Sequence, residues 1–171
     1  FFFLPLALIL YVISPWKNAT LLAVSMVFYA WGEPVFVLLM LAVIAGNWVF
    51  GLALRSPVPA HRRRWLAAAV AYNLSALFYF KYIEFVLDAV NAALAWVGLP
   101  GLPVPTPQLP LGISFFIFQS MTYVVDVYRG HAKVERSLIN VALYISMFPQ
   151  LVAGPIVRFR EVVRSIHQRT V

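Results

Sequence analysis

Leu109-Pro110-Leu111-Gly112-Ile113-Ser114-Phe115-Phe116-Ile117-Phe118-Gln119-Ser120-Met121-Thr122-Tyr123-Val124-Val125-Asp126-Val127-Tyr128-Arg129 is the stretch on which the fold turns. It is a long apolar run with polar residues set inside it at helical spacing. On a helix, Gln119, Tyr123 and Asp126 fall at i, i+4 and i+7, with Thr122 beside them at i+3, so the four share one face. The remaining faces carry Phe115, Phe116, Ile117, Phe118, Val124 and Val125. In a lipid solvent such a helix turns its polar stripe to the protein interior or to a wet cavity. Two roles are open to the stripe: hydrogen-bonding glue between helices, or the lining of a substrate path. Asp126 and Arg129, spaced i, i+3, are expected to form a local ion pair at the interface.

The rest of the chain has the same character. Of its 171 residues, 63% are hydrophobic and 11% charged, against roughly 45–50% apolar and about 25% charged in soluble domains. The fold class expected is all-α, a polytopic transmembrane helical bundle forming a single membrane domain. A membrane β-barrel is excluded, because barrel strands alternate apolar and polar residues and these runs are continuously apolar. Spans are expected at 1–13, 17–31, 35–54, 65–82 and 110–128, the first two short of the roughly 20 residues a crossing needs. In the third span Ala42 and Gly46 form a small-xxx-small pair suited to close helix contact, and Asn47 reads as packing glue. Lys81, Glu84 and Asp88 make 83–97 a poor span and an expected interfacial amphipathic helix, ending near Trp96. Residues 98–107 are a proline-rich loop. The apolar part of 137–155 is too short to cross, so the segment is expected to be re-entrant or interfacial. Irregular backbone around Pro149, Gly154 and Pro155 is tolerated at depth only inside protein or beside water.

The formal net charge of +7 does not point to nucleic acid. Its arginines and lysines gather in short loops at 55–64 and 129–137, the positive-inside pattern. Both loops are therefore expected in the cytoplasm, which places the N-terminus outside. The partner implied is the lipid bilayer, and Arg62, Arg63 and Arg64 suit anionic head groups. There are no cysteines, so disulfides and thiolate metal sites are excluded. No histidine or carboxylate pattern suggests another metal site. The chain opens at Phe1 within an apolar run, without a basic n-region or cleavage site, and is not read as a signal peptide; the expectation is a piece of a longer protein.

Several blocks carry a resemblance: Leu-Pro-Leu-Gly-Ile-Ser-Phe from Leu109, Gln-Ser-Met-Thr-Tyr from Gln119, Asp-Val-Tyr-Arg-Gly from Asp126, and Phe-Pro-Gln-Leu-Val-Ala-Gly-Pro-Ile-Val-Arg from Phe148 to Arg158, preceded by Phe80-Lys81-Tyr82. In order and spacing they resemble the membrane-bound O-acyltransferase family, in particular its alginate O-acetyltransferase branch. The likeness runs along essentially the whole chain and implies part of that family's fold. The family histidine lies in an apolar stretch downstream of the glycine-proline block. His61, His131 and His167 sit in basic, polar segments and do not match it, so no catalytic residue is expected here and the chain alone is expected to be inactive.

The resemblance implies a bacterial cytoplasmic (inner) membrane enzyme that moves acetyl groups to hydroxyls of an exported polysaccharide. It implies an acetyl donor or carrier on the cytoplasmic side and a polysaccharide or acetyl-relay protein on the outer side, with no bound cofactor. The candidate path is Gln119, Thr122, Tyr123 and Asp126. The candidate motif turn is Pro149, Gln150, Gly154, Pro155 and Arg158. A transporter or channel, whose broken helices and midplane polar residues look similar, and a non-catalytic membrane subunit are the alternatives.

Overall fold

A computed structural model describes residues 2–153 and 157–167. The described elements are α1 (Phe3–Ile13), α2 (Lys17–Gly32), α3 (Val37–Ala53), α4 (Pro59–Trp96), α5 (Ile113–Tyr128), α6 (Leu138–Ser146), α7 (Phe148–Ala153) and α8 (Phe159–His167). All regular structure among the described residues is helical. One helix, α4, is long and apolar enough to cross a membrane; α1, α3 and α5 are shorter apolar helices.

Helix α4 corrects one expectation. Residues 83–97 do not form a separate interfacial helix, because α4 runs unbroken through 38 residues. The reason is visible in the sequence: between Ala60 and Val97 there is no glycine or proline. Lys81 and Glu84, at i, i+3, support a helix rather than end one. At 1.5 Å per residue α4 is about 57 Å long, nearly twice the roughly 30 Å of a bilayer's hydrocarbon core. Its start is also earlier than the expected 65. Pro59 occupies the first turn, where its fixed φ favours helix and its missing N–H costs nothing. Arg62, Arg63 and Arg64 therefore stand on helix, not in a loop.

The centre of the bundle is α5, which packs on α3, α4, α6 and α8. Phe116, Ile117, Tyr123 and Val124 of α5 meet Met40, Val43 and Ile44 of α3 and Val141, Tyr144 and Ile145 of α6 in one cluster of buried residues. Helix α6 opens with Ser137 as its cap, whose side chain accepts from the Asn140 N–H, replacing one of the partners a first turn lacks. Every residue from Val141 to Ser146 is buried. The chain then breaks at Met147 and resumes as α7, whose first N–H, on Phe148, donates to the buried Ser25 hydroxyl of α2 at 3.3 Å. The break in 137–155 thus lies against α2. Gly154 and Pro155 fall outside the described residues.

Close contact of α3 and α4 follows the small pair Ala42 and Gly46. The Tyr72 hydroxyl donates to the Ala42 carbonyl at 2.9 Å, and a Cβ on Gly46 would lie 2.7 Å from the Tyr72 ring. Only glycine leaves room for that ring. Next to Gly46, Asn47 exchanges amide hydrogen bonds of 3.0 and 2.8 Å with Asn73. The outer surface is the reverse of this interior. Leu38, Leu41, Val49, Leu74, Phe78 and Phe85 are exposed, while Ser25, Asn47, Asn73, Gln119, Ser120 and Ser146 are fully buried. Large apolar side chains exposed around a core that also buries several polar groups are an arrangement water does not favour.

Candidate functional site

The polar stripe of α5 faces the segment that follows it in sequence. Gln119 has no exposed surface. Its Nε2 donates to Gln150 Oε1 at 3.1 Å and to the Tyr144 carbonyl at 3.4 Å. Both amide hydrogens are thereby used, while its Oε1 is buried without a hydrogen-bond partner. The Tyr144 hydroxyl donates to the Val157 carbonyl at 2.7 Å. The Thr122 hydroxyl lies 2.6 Å from that of Tyr144 and 2.7 Å from the Gln119 carbonyl. With Tyr144's proton given to Val157, Thr122's single proton serves two oxygens.

Tyr123 is also wholly buried. Its ring meets Phe159 edge-on at 4.8 Å, and Phe159 meets Tyr144 in the same way at 5.0 Å. The hydroxyl lies against Gly51 of α3. Asp126, nearly buried, turns to α8. Its Oδ2 accepts from the Arg160 N–H at 3.3 Å, a carboxylate at a helix N-terminus where the peptide dipoles favour negative charge. Its Oδ1 lies 3.9 Å from His131 Nδ1, and its carbonyl accepts from the His131 N–H at 2.9 Å. The expected Asp126–Arg129 ion pair is not formed. The carboxylate is drawn to α8 instead, because that N-terminus packs against the end of α5.

A cavity of about 310 Å³ opens at this end of α5. Its wall includes Thr122, Asp126, Arg129 and Arg158, with Phe118, Met121 and Val125 as the apolar part. Of the four expected path residues, Thr122 and Asp126 face this cavity, whereas Gln119 and Tyr123 stand behind them in the packed interior. From the expected motif turn, Gln150 bonds Gln119, Arg158 joins the cavity wall, and Pro149 is the second residue of α7. Gln150 and Arg158 of the second group thus lie beside residues of the first. Tyr144 and Phe159 tie them together and were not singled out from the sequence; a lone tyrosine in a nine-residue apolar helix was the available signal. Among the described residues, no three histidine or carboxylate side chains gather as metal ligands.

Known proteins share this sequence. The chain is 41% identical over 174 residues to a probable alginate O-acetylase of Azotobacter vinelandii, covering 99% of this chain and 35% of that protein. The chain is a relative of the alginate O-acetylases. A probable alginate O-acetylase of Pseudomonas aeruginosa is 38% identical over 99% of this chain and 34% of its own length. A peptidoglycan O-acetyltransferase of Helicobacter pylori is 30% identical over 82% of this chain and 31% of its own. The chain therefore spans about a third of the length of the relatives it matches. No family profile matches it, and no solved structure does. The two kinds of relative are both named for O-acetylation, one of alginate and the other of peptidoglycan.

Proposed function

We propose that the protein to which this chain belongs is a multi-pass membrane O-acetyltransferase of the membrane-bound O-acyltransferase type, acting on hydroxyls of an exported, alginate-like polysaccharide. The observation that carries this is the near-complete alignment of the chain with alginate O-acetylases at about two-fifths identity. The exposed apolar side chains, around a core that also buries several polar groups, support placing several helices in lipid. The basic residues of 55–64 and 129–137 support a cytoplasmic location for that end of α5, in a bacterial inner membrane.

In the reaction, the donor's acyl bond breaks and an ester C–O bond forms to the sugar. The sugar hydroxyl's proton goes to a base, and the donor's leaving group takes up a proton. No residue of this chain is assigned the base; the resemblance implies a histidine further on. What these residues supply is the donor side. Arg129 and Arg158 give the cavity mouth positive charge, which favours an anionic donor or carrier. Thr122 and Asp126 form its polar wall. The Gln119–Gln150 bond holds α7 against α5 behind that wall, and the free Gln119 Oε1 offers one acceptor to a hydroxyl or water reaching it.

Gln119→Leu in the full-length protein tests the site. Removing an amide that holds α7 should lower polysaccharide acetylation at least tenfold, with membrane insertion and protein level unchanged. Wild-type acetylation in the variant would remove Gln119 from the site. A transporter is not favoured, since both kinds of relative are named for acetyl transfer.

A further inference from the structure

A second cavity, of about 600 Å³, lies at the same end of α5, beside Tyr128. It is lined by Pro59, Ala60, Arg63, Arg64 and Ala67 of α4 and by Tyr128 of α5. A neighbouring arginine, outside this lining, has its place fixed against Tyr128. Arg62 donates to the Tyr128 carbonyl at 2.6 Å, and its guanidinium sits over the Tyr128 ring at 5.4 Å, within range of a cation–π contact. Its Nε is buried with no acceptor. Arg63 and Arg64 are exposed and make no hydrogen bond or ion pair among the described residues. Two guanidinium groups with free donors thus line one cavity, and a third, on Arg62, is held against the tyrosine that forms its far wall. The surface next to them on α4 is apolar: Trp65 is 42% exposed, and Ala67 and Ala68 are open as well.

We infer that this cavity is a binding site for the phosphate head group of an anionic phospholipid, with its acyl chains lying along α4 beyond Trp65. Guanidinium forks match phosphate oxygens in pairs, and a basic pocket between membrane helices is a physically sound place for an acidic head group. The pairing of charge with adjoining hydrocarbon surface selects a lipid over a soluble phosphate. An aromatic side chain one residue from the arginines marks the depth of the interface. The inference rests on the membrane placement proposed above, but not on the acetyl-transfer reading.

The test uses the full-length protein in neutral detergent. It is incubated with phosphatidylcholine micelles alone or with phosphatidylglycerol added, then passed over a sizing column, and the retained lipid is counted. The expected result is retention of phosphatidylglycerol over phosphatidylcholine, reduced several-fold by the double variant Arg63→Gln/Arg64→Gln. A control, Arg55→Gln/Lys133→Gln, removes equal charge from the same side and should retain the lipid. Equal retention by the Arg63→Gln/Arg64→Gln variant, or equal loss in the control, overturns the site. Displacement by millimolar inorganic phosphate alone, at the concentration that displaces a short-chain phosphatidylglycerol, would make it a free-anion site and also overturn the inference. Acetylation is measured alongside: loss of lipid with acetylation intact separates this site from the Gln119 site.

Discussion

Two of the side-chain amide pairs in this bundle, Asn47–Asn73 and Gln119–Gln150, differ in one atom. Asn47 and Asn73 form a closed pair. Each Nδ2 gives one hydrogen to the other's Oδ1 and one to a carbonyl four residues back, Val43 for Asn47 and Ala69 for Asn73, both at 2.8 Å. Each Oδ1 accepts in return. Nothing is left for a ligand. Gln119 and Gln150 form an open pair: Gln119 uses both its hydrogens, while its Oε1 has no partner. Composition cannot separate the two, for both are amides buried among apolar side chains. Bond accounting separates them. A pair that satisfies itself stabilises a helix contact. A pair that leaves a buried acceptor unmade carries a cost that structure alone gives no reason for.

The largest effect should come from the residue standing between the two regions. Gly51 is one turn beyond Asn47 on α3, yet a Cβ there would collide with the Tyr123 hydroxyl of α5 and lie 2.8 Å from its ring. The ring cannot swing away, because Phe159 holds its edge. Gly51→Val should therefore push α3 and α5 apart at a cost of about 3 kcal/mol, lowering the unfolding temperature in detergent and acetylation together. A Gly51→Val protein with wild-type stability would show that the α3–α5 contact does not tie the regions together.

Asn73→Leu comes next and tests the closed pair. It strands the Asn47 amide, at about 2 kcal/mol. The double change Asn47→Leu/Asn73→Leu leaves no stranded group and should recover more than half of that loss, since removing both partners of a buried bond is far milder than removing one. Acetylation per folded molecule should stay near wild type in both. If instead the double variant folds well and acetylates poorly, the closed pair belongs to the site and the comparison fails. Gln119→Leu should show the mirror image, with small loss of stability and large loss of acetylation.

Much of this architecture was legible in the sequence, for definite reasons. The i, i+4, i+7 spacing of Gln119, Tyr123 and Asp126 specified one face of one helix, and that face is buried, but so are Phe116, Ile117 and Val124 on the others, because α5 is packed on several sides. The small pair Ala42 and Gly46 announced a close helix contact, and Tyr72 fills it. The extent of α4 goes beyond the expected span because the charges of Lys81, Glu84 and Asp88 do not end a helix that has no glycine or proline around them. Partners in space were out of reach. Nothing in one dimension pairs Asn47 with Asn73, or turns Asp126 to the N–H of Arg160 rather than to Arg129 three residues away. Which stripe residues line a cavity was equally hidden. Thr122 and Gln119 are three apart on α5, yet the docking of α6 and α7 covers one and leaves the other at an opening.

Tyr144 offers the finest test of the open pair, because its hydroxyl joins α6 to α5 and to the chain that leads into α8. It donates to the Val157 carbonyl, just before α8, and meets Thr122 on α5. Tyr144→Phe keeps the ring and its edge-on contact with Phe159, so packing survives and the lost bond should cost about 1 kcal/mol. Thr122 then gives its proton to the Gln119 carbonyl alone. The chain at Val157 is freed from α6, and Arg158 beside it loses its fixed position on the cavity wall. The expected outcome is a small fall in unfolding temperature with a larger relative fall in acetylation at low donor concentration, relieved at high donor concentration. That split follows only if Arg158 acts on the donor. An equal fall at every donor concentration would leave Tyr144 a plain structural strut and would shift the donor's entry away from this cavity.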